Sequence, residues 1–305
     1  YDTLVSTHSS ALSVLFEQAI ETSQQPSHLH YLAAKVALDR CEPKHVRRHF
    51  DSIEEESHFN EIDMGLAYLE GRIEDADKAI AKGLELGTQQ QKNQLALSAA
   101  SRRLDDRISS TLPKGVVNEI KRYLTKIILP NEPEQRAVTV VALTMVQHAL
   151  ALIEENFTKA ETLRATLMSV GGVDGALVMG LKAKSLLIES KSQPHQFSTA
   201  VEHTKQAIAM QTSSIHRDSL RLSLVEALLE TDEEQAKVEF LQITKPNISP
   251  NSVAIHRLHA RWWMCKSLLE SSMRQIALKE AITQHRAAGC PRAANELEAR
   301  LHSLL

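Results

Sequence analysis

Residues 64–86 read Met64-GLAYLEGRIEDADKAIAKGLE-Leu86. Gly65, Ala67 and Tyr68 lie in a first apolar pattern and Gly71 in a tight turn. Ala76 falls where a second helix crosses the first, and Ile80, Gly83 and Leu86 continue at helical spacing. Two antiparallel helices joined this tightly approach closely only if small residues occupy the crossing, after which larger apolar residues lock adjacent pairs. The stretch therefore predicts a helical hairpin.

Working outward, all nine prolines, from Pro26 to Pro291, sit where an apolar helical pattern stops or starts. Gly87, Gly171-Gly172 and Gly289 follow helical patterns, as left-handed caps do. Thr231-Asp232-Glu233-Glu234 and Asp174 supply N-cap chemistry. Val138–Val141 has strand-like composition but lies inside a longer pattern, 134–155, without a hairpin turn, and predicts a buried helix. The expected class is all-α.

Points equivalent to Ala76 recur at Val46, Val117, Ala160, Ala200, Ala236 and Ala277, separated by 30 to 43 residues. Met64–Leu86 resembles a tetratricopeptide repeat, with a first helix one residue shorter before the turn than the family pattern. The longer spacing is similar to variants found in kinesin light chains, in subunits of large eukaryotic assemblies and in the sensor halves of bacterial transcription activators. Helical repeats of the HEAT type are the competing architecture; the turn Gly71-Arg72-Ile73-Glu74-Asp75-Ala76 favours the tetratricopeptide reading. The resemblance implies one domain over residues 1–305: a right-handed superhelical α-solenoid of about seven helix pairs, with a capping helix from Pro291 to Leu305.

Composition narrows the function classes. The formal charge is −3, with 43% hydrophobic and 24% charged residues. A nucleic-acid binder draws most of its affinity from phosphate neutralisation and carries a basic excess, which is missing here. No apolar run reaches the roughly 20 residues of a bilayer span, and Tyr1–Ser10 has no signal-peptide pattern. The absent initiator Met suggests a processed product or a piece of a longer protein. Cys41, Cys265 and Cys290 are sparse and odd in number, which predicts free thiols in a reducing, cytoplasmic (or, in a eukaryote, nuclear) compartment.

Reactive constellations are weak. His45 and His49 share a helical face, but Arg47 and Arg48 lie between them and oppose a cation. His256, His259 and Cys265 do not share one face. Gly171–Gly175 lacks a preceding strand and a following Lys-Ser/Thr, so it predicts a linker before an Asp174 cap, not a phosphate loop. Neither catalytic residues, metal nor cofactor are expected.

The family's ligands lie against the first helix of each pair. Carried over from the crossing alanines, that geometry implies partner contacts at His259, Trp262 and Lys266, at Asp218 and Arg221, and at an apolar patch around Met145; Lys184 and Arg102 also qualify. Tryptophan is enriched among binding anchors, which favours Trp262, with Trp263 then facing the core. Equal weight falls on both tryptophans packing between helices. The resemblance implies a scaffold or adaptor that grips a protein or peptide. The alternative is the regulatory half of a bacterial activator or receptor, where the superhelix takes a small-molecule or peptide effector.

Overall fold

A computed structural model describes residues 14–108, 112–246 and 252–304, and among them every regular element is helical, with no strand. Helical residues 14–22 (α1) precede α2 (Pro26–Asp39), α3 (Pro43–Phe50), α4 (Glu56–Leu69), α5 (Ile73–Leu86), α6 (Gln89–Asp105), α7 (Lys114–Leu124) and α8 (Pro133–Ile153). The chain continues through α9 (Phe157–Ser169), α10 (Gly175–Ser192), α11 (Phe197–Met210), α12 (Ser214–Leu228), α13 (Glu233–Leu241), α14 (Val253–Leu269), α15 (Arg274–Ala287) and α16 (Pro291–His302).

One turn geometry recurs. Cys41, Gly71, Glu155 and Gly289 all have left-handed backbones, with φ of 57°, 74°, 54° and 67°. In each, the next residue donates its N–H to the carbonyl five positions earlier: Glu42 to Ala37, Arg72 to Ala67, Asn156 to Ala151 and Cys290 to His285, at 2.8–3.0 Å. These bonds satisfy carbonyls that a helix end leaves open, and the next helix starts one residue later. Cys41 and Glu155 hold this conformation against the steric cost of a Cβ. Gly87 differs from expectation. Its backbone is extended (ψ 160°) because the chain enters directly into the capping box of Thr88 and Gln91 that starts α6.

The helices pair in sequence: α2 with α3, α4 with α5, and so on to α14 with α15, after which α16 packs on α15. Val46, Ala76, Ala160, Ala200, Ala236 and Ala277 each stand fourth in a second helix and are 1% exposed or less. In α7 the fourth residue, Val117, is only half-buried and Val116 takes the buried place, a one-residue shift from the expected marker. Close approach is enforced at Gly83, where a Cβ would lie 2.5 Å from Leu95 Cδ2 and 3.1 Å from Asn60 Cβ. The core forms in successive blocks, from α2–α4, through α4–α8, to α10–α16.

Two features fall outside the sequence reading. The first half of α8 is helical as expected but not buried: Val138 is 71% exposed. By length and composition alone α8 is also apolar enough to cross a membrane, which corrects the reading that no segment is. Its second half packs on α6 and α9, as a core helix does. The other feature is a closure across long sequence distance. Arg257 of α14 donates to Asp105 at 2.5 Å, and the Asp106 carboxylate accepts the N–H groups of Arg292 (3.2 Å) and Ala293 (2.9 Å) at the start of α16. Ile108 packs beside Val253, Ala288 and Cys290. The last hairpins are thus fastened to the end of α6.

Asn93 anchors the α7–α8 connection. Its Oδ1 accepts from Ile128 N at 3.0 Å and its Nδ2 donates to Ile128 O at 2.5 Å. Asn93→Ala leaves both Ile128 groups without their side-chain partner, with an expected cost of about 1–2 kcal/mol. An unchanged thermal midpoint would contradict that assignment.

Candidate functional site

The closure brings first helices from distant hairpins around one set of charges. Arg102 and Arg103 are adjacent on α6 but diverge. Arg103 is buried and pairs with Asp77 and Glu119 on the second helices. Arg102 lies over the Tyr68 ring, 5.7 Å from its centroid, with a buried Nη1 that has no hydrogen-bond partner. Its electrostatic neighbours are Arg257, Asp39 and Cys290.

Lys184 of α10 also has Asp105 among its charged neighbours. Around it lie Arg261, Glu226, Asp105 and Arg107. Arg261 is fully engaged: Nε and Nη2 hold both oxygens of Glu226 (2.9 and 2.8 Å), Nη2 also reaches Ser223 Oγ (3.0 Å) and Nη1 reaches Ser219 Oγ (3.2 Å). With Glu226 and Asp105 already taken by arginines, Lys184 makes no hydrogen bond or ion pair among the described residues. Burial and the nearby Arg261 pull its ammonium down to about 8. Arg257 and Arg261 thus hold Asp105 and Glu226, and Asp39 is the carboxylate among the neighbours of Arg102.

A cleft of about 220 Å³ opens between α2, α4 and α6, lined by Lys35, Asp39, Glu61, Gln94, Ser98 and Arg102. A larger cavity of about 440 Å³ lies between α5 and α7, the second helices. Of its acidic side chains, Asp77 and Glu119 are held by Arg103, and Glu85 lines it as well. The smaller cleft is the one that holds Arg102.

The expected contact residues divide. Lys184 belongs to the charged set. Trp262, 7% exposed, is stacked on Phe240 at 5.2 Å and meets Trp263, 8% exposed, edge-on at 4.9 Å. The inter-helix packing alternative is what the structure contains; neither indole offers a free face. His259 is 2% exposed between the same indoles, and Lys266 covers the Trp262 ring at 5.2 Å. Arg221 donates to Gln242 O at 3.2 Å, towards the end of α13, and half-buried Asp218 has Arg221 and Arg217 as its charged neighbours. On α14 the side facing the charged set is Arg257 and Arg261, and on α12 it is Ser219, Ser223 and Glu226. Met145 is half-buried on α8, apart from this set.

The remaining candidates are structural. His45 pairs with Glu42 at 3.0 Å, while His49 Nδ1 meets His30 Nδ1 at 3.1 Å, so the two do not converge. Asp174 caps α10 by accepting from Ala176 N at 2.9 Å. Burial raises the thiols of Cys41, to about 12, and of Cys265 and Cys290, which suppresses thiolate chemistry. Sequence reasoning passed over Arg257 and Arg261, although their four-residue spacing places two cations on one face. The chain matches no protein-family model, no curated protein and no solved structure.

Proposed function

We propose that this chain is a tetratricopeptide-like, right-handed superhelical scaffold of seven hairpins and a capping helix, and that its inner wall binds a segment of a partner protein. The observation carrying this reading is the cleft walled by the first helices α2, α4 and α6, whose lining includes Arg102 with a buried Nη1 that has no hydrogen-bond partner. A buried donor left without a partner costs stability, and an incoming acceptor recovers it. The serial pairing of the helices and the repeated fourth-position small residue support the solenoid. Catalysis is not part of the proposal, and a cytoplasmic setting is.

A photo-reactive benzoylphenylalanine at Ser98, in the cleft, and separately at Val238, exposed on α13, tests this in the cells of origin. A partner cross-linked at position 98 and missing at position 238 is the expected result. Identical products at both positions, or none at 98, would remove the reading.

One observation favours the effector-sensing alternative. The Asp105 and Asp106 ties fasten the last hairpins to the third, so a ligand that displaced them would release one end of the chain from the other. In that case ligand addition speeds hydrogen exchange at the Arg292 and Ala293 amides; protection that stays constant excludes it.

A further inference from the structure

The geometry points to a second docking surface, on the second helices: the groove between α5 and α7 takes an amphipathic helix of a partner protein. That helix carries an apolar stripe with basic residues along one flank and acidic residues along the other. The surface shares no residue with the cleft at Arg102, so the two assignments stand or fall separately.

Each wall of the groove is one helical stripe. From α5 come Asp77, Ile80, Ala81, Leu84 and Glu85, spaced three and four apart. From α7 and the turn after it come Glu119, Arg122, Tyr123 and Lys126, spaced in the same way. Ile80 and Tyr123 are buried and Leu84 is half-buried, whereas Ala81, Glu85, Arg122 and Lys126 are exposed. The apolar part of the lining is therefore deep and the charges lie towards the rims. Both helices pack on α6, and Arg103 of α6 ties the walls together by pairing with Asp77 and, at 3.6 Å, with Glu119. The groove is thus held open before any partner arrives, which lowers the cost of binding.

Charge sorts by wall once those two pairs are made. The α5 wall keeps Glu85, and the α7 wall keeps Arg122 and Lys126. None of the three side chains makes an ion pair or hydrogen bond among the described residues; Arg122 lies over the Tyr123 ring at 5.8 Å. Opposite charges that line one groove without meeting leave room for a segment between them. An extended segment needs partners for its backbone groups. No lining residue has an amide side chain, and Tyr123 alone has a hydroxyl. A helix satisfies its own backbone and needs only apolar anchors at i, i+3 or i+4, and i+7. The α5 wall runs from Asp77 to Glu85, about 12 Å at the helical rise, which matches two turns and three such anchors. Basic residues on one flank of that helix then meet Glu85, and acidic residues on the other meet Arg122 and Lys126.

The test is fluorescence anisotropy of a fluorescein-labelled peptide with the full chain at low ionic strength. The peptide has about 18 residues, long enough to form a helix, with a leucine stripe, glutamates along one flank and lysines along the other. Saturable one-to-one binding is expected, with a gain of helical circular dichroism in the complex. Ala81→Gln, which puts a long neutral side chain into the groove, weakens binding about tenfold or more, and Val238→Gln on α13 leaves it unchanged. Glu85→Lys makes both walls basic: the mixed peptide weakens about threefold, and an isomer with glutamate on both flanks gains about as much. Arg122→Glu with Lys126→Glu moves the preference to lysine on both flanks. These side chains are exposed and unpaired, so the flank preferences decide the matter even if Ala81→Gln lowers the melting point. The inference is overturned by absent saturation, by equal binding to a natively melting Ala81→Gln, or by flank preferences that ignore the wall charges. Equal binding of an isomer with two central prolines overturns it in favour of an extended segment. Sedimentation of the chain alone as a dimer that Ala81→Gln dissociates overturns it in favour of a second copy.

Discussion

Trp262→Ala is expected to destabilise the chain by about 3–5 kcal/mol, the range for emptying a buried aromatic site. The indole joins α13 to α14 through its stack on Phe240, and the edge-on contact with Trp263 adds an aromatic pair. It belongs to the block of core that runs from α10 to α16, so the cavity would open where several helices meet. Part of the loss is offset, since Trp262 Nε1 is buried without an acceptor and the substitution removes that unpaired donor. Trp262→Phe separates the two contributions: it keeps the stacked ring, removes the donor, and should cost about 1 kcal/mol or less. Urea denaturation reads both, as a lower midpoint for alanine with an unchanged slope. A midpoint unmoved by Trp262→Ala, together with a lost partner, would restore the indole as a binding anchor.

The second large effect is acid destabilisation through two buried histidines. His148 is 1% exposed, and its Nε2 lies 3.5 Å from Arg164 Nη1 and 3.2 Å from Ser185 Oγ. A guanidinium only donates, so this nitrogen keeps its lone pair and the ring is neutral. Burial, then Arg164 and Lys184, hold His148 down at about 4, and burial with Arg257 does the same to His285. The sign follows from proton uptake. Both folded values lie below the unfolded value of about 6.5, so the unfolded chain binds the extra protons. The stability is fully present above pH 6.5 and lost as pH falls towards 4, by about 3 kcal/mol for each histidine. Asp63, Asp106 and Asp218, raised by burial, act in the opposite direction at the acidic end. Comparing the parent with His148→Gln isolates the histidine: the variant's stability should fall less steeply between pH 6.5 and 4.5, since His285, His49, His58 and His259 keep their own contributions. Parallel curves for the two proteins would rule out neutral burial of His148.

Much of the local architecture was legible because its causes are local. Proline at helix starts, the Asp174 and Asp232 caps, and the left-handed Gly71 and Gly289 act within a turn of chain, and all are found where the sequence places them. The crossing alanines were readable for the same reason. Cys41 and Glu155 were missed, since nothing in a cysteine or a glutamate announces a positive φ; the pairing of the flanking helices imposes it. Val138 was misjudged because apolar composition states what a helix is able to bury, not what neighbour stands beside it.

The amino-acid sequence, taken alone, determined that this protein is built of helical hairpins at intervals near forty residues, because capping, turn chemistry and apolar spacing operate over a few residues. The tertiary structure decided which face of α14 meets the end of α6 and α12, and hence that Arg257 and Arg261, not Trp262, stand there. That choice depends on contacts such as Arg257 with Asp105 and Ala293 with Asp106, between residues 152 and 187 positions apart. No helical periodicity encodes a partner so distant, and the charge left unpaired on Lys184 exists only once those partners have met.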